Sequence, residues 1–244
     1  MSRYTYSLKK YYLWMLLYVF MSLASFLILM PLAYYLNAKK NVEHTYIDGK
    51  KLRFTGTKRG AYLTFVPYFC LLNALRIIID EIQMHLLTNE VISNMHPFFS
   101  FIVKNLMDAI PLFLVSLLLM HTLFKWAQRN TYFCYELSGS IFETRIRKSL
   151  LMAIINKVCG TLTFGIFNPL AIYLKQKFIV EREIISYTKV EFDGTIKEAY
   201  KKFIIRQYIN YFTIGLYAPV YLYRIYEWRI IHTHISKPVV NCKS

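Results

Sequence analysis

A stretch of 28 residues, from Tyr11 to Ala38, contains no Asp, Glu, Lys or Arg and follows the basic residues Lys9 and Lys10. The apolar part of a cleavable signal peptide is only about 7 to 15 residues long, so this stretch is too long to be one. About 20 apolar residues are enough for a helix to cross the hydrocarbon core of a bilayer. The sequence therefore predicts a membrane-spanning helix near its N-terminus.

Four further apolar stretches have similar lengths, and few charged side chains interrupt them. They cover residues 60–79, 91–123, 149–174 and 203–223. The chain is 56% hydrophobic and only 18% charged, whereas about a quarter of the residues of a typical soluble domain are charged. These features predict an all-α integral membrane fold: one membrane domain (1–244) forming a polytopic helical bundle of Gly- or Pro-broken helices.

The formal net charge is +16. In a membrane protein such an excess of Lys and Arg is typical of cytoplasmic loops and of contacts with anionic lipid headgroups, so membrane lipids are the expected partner and nucleic acid is not. Residues 80–97 carry acidic residues but no Lys or Arg, and are the best candidate for the opposite side of the membrane. A homo-oligomer or a protein partner stays open.

An internal duplication is visible when the chain is compared with itself. Residues 31–62 align without a gap on residues 169–200, a shift of 138, and fifteen of the thirty-two pairs are identical. Weaker similarities extend the pattern to tandem repeats, approximately 11–62, 99–148, 149–200 and 201–236, with an extra helical hairpin segment at 61–98. Each repeat is expected to carry a basic arm and a short cytoplasmic β-hairpin, for which Asp48-Gly49 is a strong turn signal.

Two motifs resemble those of a known family. The runs 163–171 (TFGIFNPLA) and 213–221 (TIGLYAPVY) resemble the Thr-x-Gly-Ile-Tyr-x-Pro-Trp signature of YjgN-like bacterial membrane proteins. The segments 46–57 and 192–195 are similar to that family's Asp-Gly and Phe-x-Gly-Thr segments, although Leu170 and Val220 replace the usual Trp. The resemblance implies an integral protein of the bacterial cytoplasmic (inner) membrane. It implies no reaction, because the family is a domain of unknown function.

Glycine and proline mark corners within the apolar stretches. Gly165 and Gly215 admit non-helical backbone conformations, and a proline four residues later cannot continue a preceding helix. Each corner either kinks a spanning helix or returns the chain to the side from which it came. In the second case, a helix from residue 170 would lie near the cytoplasmic headgroups. The structural corner residues are Pro31, Gly165, Pro169, Gly215 and Pro219, and the candidate headgroup contacts are Lys175, Lys177 and Arg182.

Two charged pairs lie within the apolar stretches. Arg76 with Asp80, and Lys104 with Asp108, have the i,i+4 spacing that places both partners on one helix face. Buried charges in membranes usually face a polar cavity, so the four residues are a candidate polar pocket. The alternative is that they solvate helix ends at the outer headgroups.

Two weaker polar sets remain. Asn156, Lys157, Arg206, Gln207 and Asn210 are expected to hydrogen-bond between helices rather than to form a site. His232 and His234 would share one face of a strand, but a metal site needs a third ligand and a frayed tail is the favoured interpretation.

No catalytic or nucleotide-binding motif is present, so neither an enzyme nor a cofactor or metal site is predicted. The four cysteines lack CxxC spacing and are expected to be free thiols. The favoured function is a membrane module that binds lipid or a partner and acts as a scaffold. The alternative is a small-solute transporter or channel with a central site between repeats.

Overall fold

The computed structural model describes residues 1–24, 29–88, 97–134, 141–142 and 165–238, together with 148, 151 and 154. It contains two compact units. We name Met1–Ala61 with Lys125–Ser244 the sheet unit, and Tyr62–Phe124 the helical unit.

The described helices and strands of the two halves follow a similar order, except that two helices separate the first two strands in the first half and one described helix separates them in the second. The first half contains β1 (Arg3–Tyr4), α1 (Leu8–Ala24), α2 (Met30–Glu43), β2 (Thr45–Ile47), β3 (Lys50–Phe54), α3 (Lys58–Thr88), α4 (Pro97–Arg129) and β4 (Thr131–Phe133). The second contains β5 (Ile141–Phe142), α5 (Asn168–Val180), β6 (Glu183–Ile185), β7 (Thr188–Phe192), α6 (Ile196–Phe212), α7 (Ala218–Ile231) and β8 (Thr233–Pro238).

The strands form two antiparallel sheets, one in each half, with the orders β1-β2-β3-β4 and β5-β6-β7-β8. The first three strands of each sheet start at positions 138 residues apart, which is the spacing of the sequence duplication. The last strands, β4 and β8, start 102 residues apart. The difference arises because the α3–α4 segment is longer than the α6–α7 segment that occupies the same place in the second half.

The two sheets share one hydrophobic core. Its buried residues are Ile47, Leu52, Phe133, Val180, Ile185 and Val190. The hairpin turn of each half also bonds to the last strand of the other: the Ile235 N–H donates to Asp48 Oδ2 at 2.7 Å, and the Phe133 N–H donates to Ser186 Oγ at 3.1 Å. The halves are therefore joined by matching contacts in both directions.

The Phe-x-Gly-Thr segment ends a strand and begins a helix. A Cβ on Gly194 would lie 2.6 Å from Phe192 Cζ and 2.8 Å from Trp228 Cζ2, so only glycine fits under the two aromatic rings. Thr195 then caps α6, because its hydroxyl accepts a hydrogen bond from Glu198 N–H while the Glu198 carboxylate accepts one from Thr195 N–H. Gly56 has the same aromatic neighbours in the first half, Phe54 and Trp126.

Both hairpin turns have two consecutive residues with positive φ, as type I′ turns require. In the first half these are Asp48 and Gly49, and in the second they are Ser186 and Tyr187, with φ of +50° and +60°. A bulky residue such as Tyr187 is strained in this conformation. Its side chain is half exposed and therefore recovers only part of that cost by packing.

We expect Tyr187→Gly to stabilise the protein by about 0.5–1 kcal/mol, since glycine removes the left-handed strain and adds back a smaller entropic cost. Urea-induced unfolding would measure the change. The matched control is Gly49→Tyr at the equivalent turn position, which should destabilise by a similar amount because no atom lies within 4 Å of its added Cβ. A lower unfolding free energy for Tyr187→Gly would contradict the expectation.

The predicted all-α polytopic helical bundle is wrong. The helices are joined to two antiparallel four-stranded sheets, and among the described residues one helix, Lys58–His85, is long and apolar enough to cross a membrane. The prediction that the five apolar stretches are transmembrane helices is wrong, because length alone does not show whether an apolar stretch forms one helix or two. The stretch 203–223, for example, is divided between α6 and α7.

The corner at Gly215 returns the chain and is not a kink in one continuous helix. The Gly215 N–H donates to Asn210 O at 2.9 Å and the Ile214 N–H donates to Tyr211 O at 3.0 Å, which is the Schellman pattern that ends a helix. At the opposite ends of the same two helices, the Asp193 N–H donates to His232 O at 3.1 Å. Helices α6 and α7 therefore start and finish beside the sheet.

Candidate functional site

The long helix α3 exposes a largely apolar surface. Only 6% of the most apolar 18-residue part of Lys58–His85 is buried. Leu63, Ile77 and Met84 are each more than 60% exposed. Within the helical unit, Tyr68 Oη and Thr122 Oγ1 form a hydrogen bond of 2.5 Å that links α3 to α4. The helix thus lacks the buried character of a core helix.

The four candidate pocket residues lie on these two helices. Arg76 and Asp80 are both exposed on α3. Lys104 and Asp108 belong to α4, and their side chains lie outside the described residues. The described part of the helical unit therefore presents the first pair on an open surface, and the pocket stays a prediction.

The three candidate headgroup contacts lie on or directly after α5. Lys175 is exposed, and Lys177 Nζ lies 3.7 Å from Glu181 Oε1. The Arg182 guanidinium lies 4.8 Å from the centre of the Phe178 ring. Lys175 and Lys177 lie in the second half of α5, and Arg182 lies between α5 and β6, so the three cations are on the side of the helix end that leads to the sheet.

The predicted corner prolines all begin helices. Pro31, Pro169 and Pro219 occupy the first turns of α2, α5 and α7, where a missing N–H costs no helical hydrogen bond, and all three are buried. Gly165 and Gly215 have φ of +85° and +84°. These conformations are the left-handed ones that favour glycine.

One member of the second polar set holds a corner in place. Gln207 on α6 is only 1% exposed, and its Nε2 donates to Gly165 O at 3.1 Å. Arg206 Nη1 donates to Lys202 O within α6, whereas Asn156 and Lys157 lie outside the described residues. The sequence predicted that this polar set hydrogen-bonds between helices. Gln207 forms such a bond between α6 and the corner that precedes α5.

Alternating carboxylates and imidazoles form a chain at the sheet end of α6 and α7, and sequence reasoning missed it. His234 Nδ1 lies 3.2 Å from Asp48 Oδ1, and His234 Nε2 lies 3.1 Å from Asp193 Oδ2. His232 Nδ1 lies 2.7 Å from Asp193 Oδ1, and His232 Nε2 lies 3.5 Å from Glu198 Oε2. The expected frayed tail is wrong here, because His234 lies in β8, which pairs with β7, and His232 directly precedes β8 at the end of α7.

This series of carboxylates and imidazoles joins the two halves of the protein and is not arranged as a metal centre. The described residues contain no group of three or more His, Cys, Asp or Glu side chains placed to hold a metal ion. Burial acts to raise the pKa of Asp48, but the hydrogen bond from Ile235 N–H and the nearby His234 hold that pKa below its ordinary value. The anionic form of Asp48 is therefore favoured, as its bonds to the other half require.

A second buried carboxyl group lies in the second sheet. Glu183 on β6 is buried, and burial raises its pKa to about 7 although Arg229 and a hydrogen bond with Gln128 act in the opposite direction. The equivalent residue of the first half is Thr45, whose hydroxyl donates to Asn41 O at 2.7 Å. An ionisable residue thus occupies a place that a neutral one fills in the other half.

No family model, curated protein or solved structure matches this chain. The resemblance to the YjgN-like proteins therefore stays a prediction.

Proposed function

We propose that the chain is a non-enzymatic module that α3 anchors at a membrane, where it binds anionic lipid and serves as a scaffold. The observation that carries this proposal is the exposed apolar length of Lys58–His85. A core helix of the same composition would be mostly buried, and a signal sequence would lie at the N-terminus. We propose the bacterial cytoplasmic membrane as the location, in keeping with the family resemblance.

The charge distribution supports anionic lipid as the ligand. Lys58 and Arg59 begin α3, directly before its apolar part, and the whole chain has a formal net charge of +16. Cationic side chains next to an apolar helix attract the negative headgroups of the membrane surface. Lys175 and Arg182 add cations at the sheet end of α5.

Flotation of the purified full-length chain with vesicles tests membrane attachment. An aspartate within a membrane helix costs about 2.5 kcal/mol, so Ile77→Asp should lower the partition coefficient for the vesicles by one to two orders of magnitude. Ile77 is 69% exposed, so the substitution should leave folding intact. The matched control is Tyr187→Asp in the sheet unit, which adds the same charge at another exposed site. Equal flotation of both variants would contradict the proposal.

The lipid preference is tested by comparing phosphatidylcholine vesicles with vesicles that also contain phosphatidylglycerol. Each cation near an anionic surface contributes about 1 kcal/mol, so neutralising Lys175, Lys177 and Arg182 to Gln should weaken binding roughly thirtyfold, allowing for the pair between Lys177 and Glu181. Exchanging Lys for Arg and Arg for Lys at the same positions should preserve it. Identical binding to both vesicle types would exclude anionic recognition.

A further inference from the structure

Large apolar side chains are exposed at the end of the sheet unit farthest from its sheets. At the corner between α6 and α7, Phe212 is 85% exposed, Ile214 is 94% exposed and Leu216 is 68% exposed. The corner before α5 presents Ile166 and Phe167, each about half exposed. The bond between Gln207 and Gly165 O places this second corner beside the last turns of α6. We name these five residues the apolar tip.

The backbone at the apolar tip is strained. Ile214 has a φ of +50°, in the left-handed region that a β-branched residue rarely adopts. Its side chain is almost fully exposed and gains little from packing within the chain. Glycine or asparagine would end the helix at lower cost. An exposed isoleucine at this position therefore contributes little to the stability of the fold and is available for a contact outside the chain.

The charges beside the apolar tip favour a membrane as the partner of this surface. Among the last six residues of α6 and the first six of α7 there is no charged side chain, and the next residues are Arg206 and Arg224. Six residues of helix span about 9 Å, which matches the depth of about 5–10 Å to which apolar faces enter a membrane interface. Arg206 Nη1 bonds to Lys202 O and Arg224 Nη1 bonds to Glu227 Oε2, so both guanidinium groups point away from the tip.

We propose that the apolar tip inserts into the acyl layer of one leaflet of an anionic membrane, with Arg206 and Arg224 at the headgroups. The α6–α7 hairpin enters and returns through the same face and does not span the bilayer. This inference rests on the proposed function, and it adds a second, separate membrane contact to the one made by α3. A second copy of the chain covering the tip would be the competing occupant.

Site-specific labelling of the full-length chain tests the inference. After replacement of the four native cysteines by Ser, Ile214→Cys carries an environment-sensitive fluorophore, and the control carries it at Tyr187→Cys beside the sheets. With vesicles of phosphatidylcholine and phosphatidylglycerol, the label at position 214 should shift its emission to shorter wavelength and lose most of its quenching by iodide. The label at position 187 should stay quenchable.

The outcomes separate the two proposals. If the chain floats with the vesicles but position 214 stays open to iodide, tip insertion is excluded and anchoring by α3 stands. If the chain does not float at all, both proposals are excluded. If position 214 is protected without vesicles and the protection grows with protein concentration, a second copy covers the tip and the insertion is again excluded. Loss of the emission shift on the further changes Phe212→Ser and Leu216→Ser would support insertion.

Discussion

Gly165→Ala is expected to destabilise the protein by about 4 kcal/mol. A Cβ at this position would lie 1.7 Å from Gln207 Nε2 and 2.9 Å from Gln207 Cδ, so the buried amide must move. The displaced amide loses its bond to Gly165 O, and a buried polar group without a partner costs about 1–3 kcal/mol. Overpacking and the positive φ each add about 1–2 kcal/mol.

Gly215→Ala is the matched control, because the two glycines have nearly the same φ but different surroundings. No atom lies within 4 Å of a Cβ added at Gly215, so only the backbone strain remains and we expect a loss of about 1 kcal/mol. Urea-induced unfolding in mild detergent would compare the two variants. Combining Gly165→Ala with Gln207→Ala should recover part of the loss. Equal destabilisation by the two glycine variants would show that Gln207 does not hold the corner.

As the pH rises from about 4.5 to 7, the parent protein is expected to lose about 3 kcal/mol of folding stability. The Glu183→Gln variant should not show this loss. Burial raises the pKa of Glu183 to about 7 from 4.5. The folded state therefore holds the proton over a range in which the unfolded chain releases it. This contribution to stability is fully present below the unfolded pKa, falls as the pH rises, and is gone above the folded pKa.

The measurement is the free energy of unfolding at pH 5 and pH 8 for the parent and the variant. Glu183→Gln should be more stable than the parent at pH 8 and close to it at the lower pH. Glu191→Gln, at an exposed position on β7, should keep the pH dependence of the parent. The pKa of Asp48 lies below its ordinary value of 3.8, so Asp48 does not titrate between pH 5 and pH 8. A parallel profile for Glu183→Gln would exclude Glu183 as the titrating group.

Short-range features of the chain were accessible from the sequence. The Asp48-Gly49 pair favours a tight turn, because both residues accept positive φ, and the structure places this turn between β2 and β3. Gly165, Pro169, Gly215 and Pro219 likewise mark corners through backbone restrictions that act over a few residues. The recurrence of strands at a spacing of 138 residues corresponds to the duplication visible in the sequence.

Long-range features were not accessible. Asp48 meets His234 although 186 residues separate them, and no local pattern marks Asp193 as the bridge between the two histidines. Phe54 pairs with Thr131 across the whole α3–α4 segment, so the first sheet cannot be read from its strands taken separately. The sequence also could not show that Glu183 is buried, since it follows Arg182 in a charged segment.

The sequence alone determined the turn at Asp48-Gly49 and the corners at Gly165 and Gly215, because these depend on residue types within a few positions of one another, and it showed the duplication directly. Only the tertiary structure decided whether an apolar stretch continues or returns. Backbone hydrogen bonds at both ends of α6 and α7 set the direction of these helices. One joins Gly215 to Asn210 and the other joins Asp193 to His232. Composition shows how many apolar residues a chain has, whereas contacts between distant residues decide which of them stay exposed.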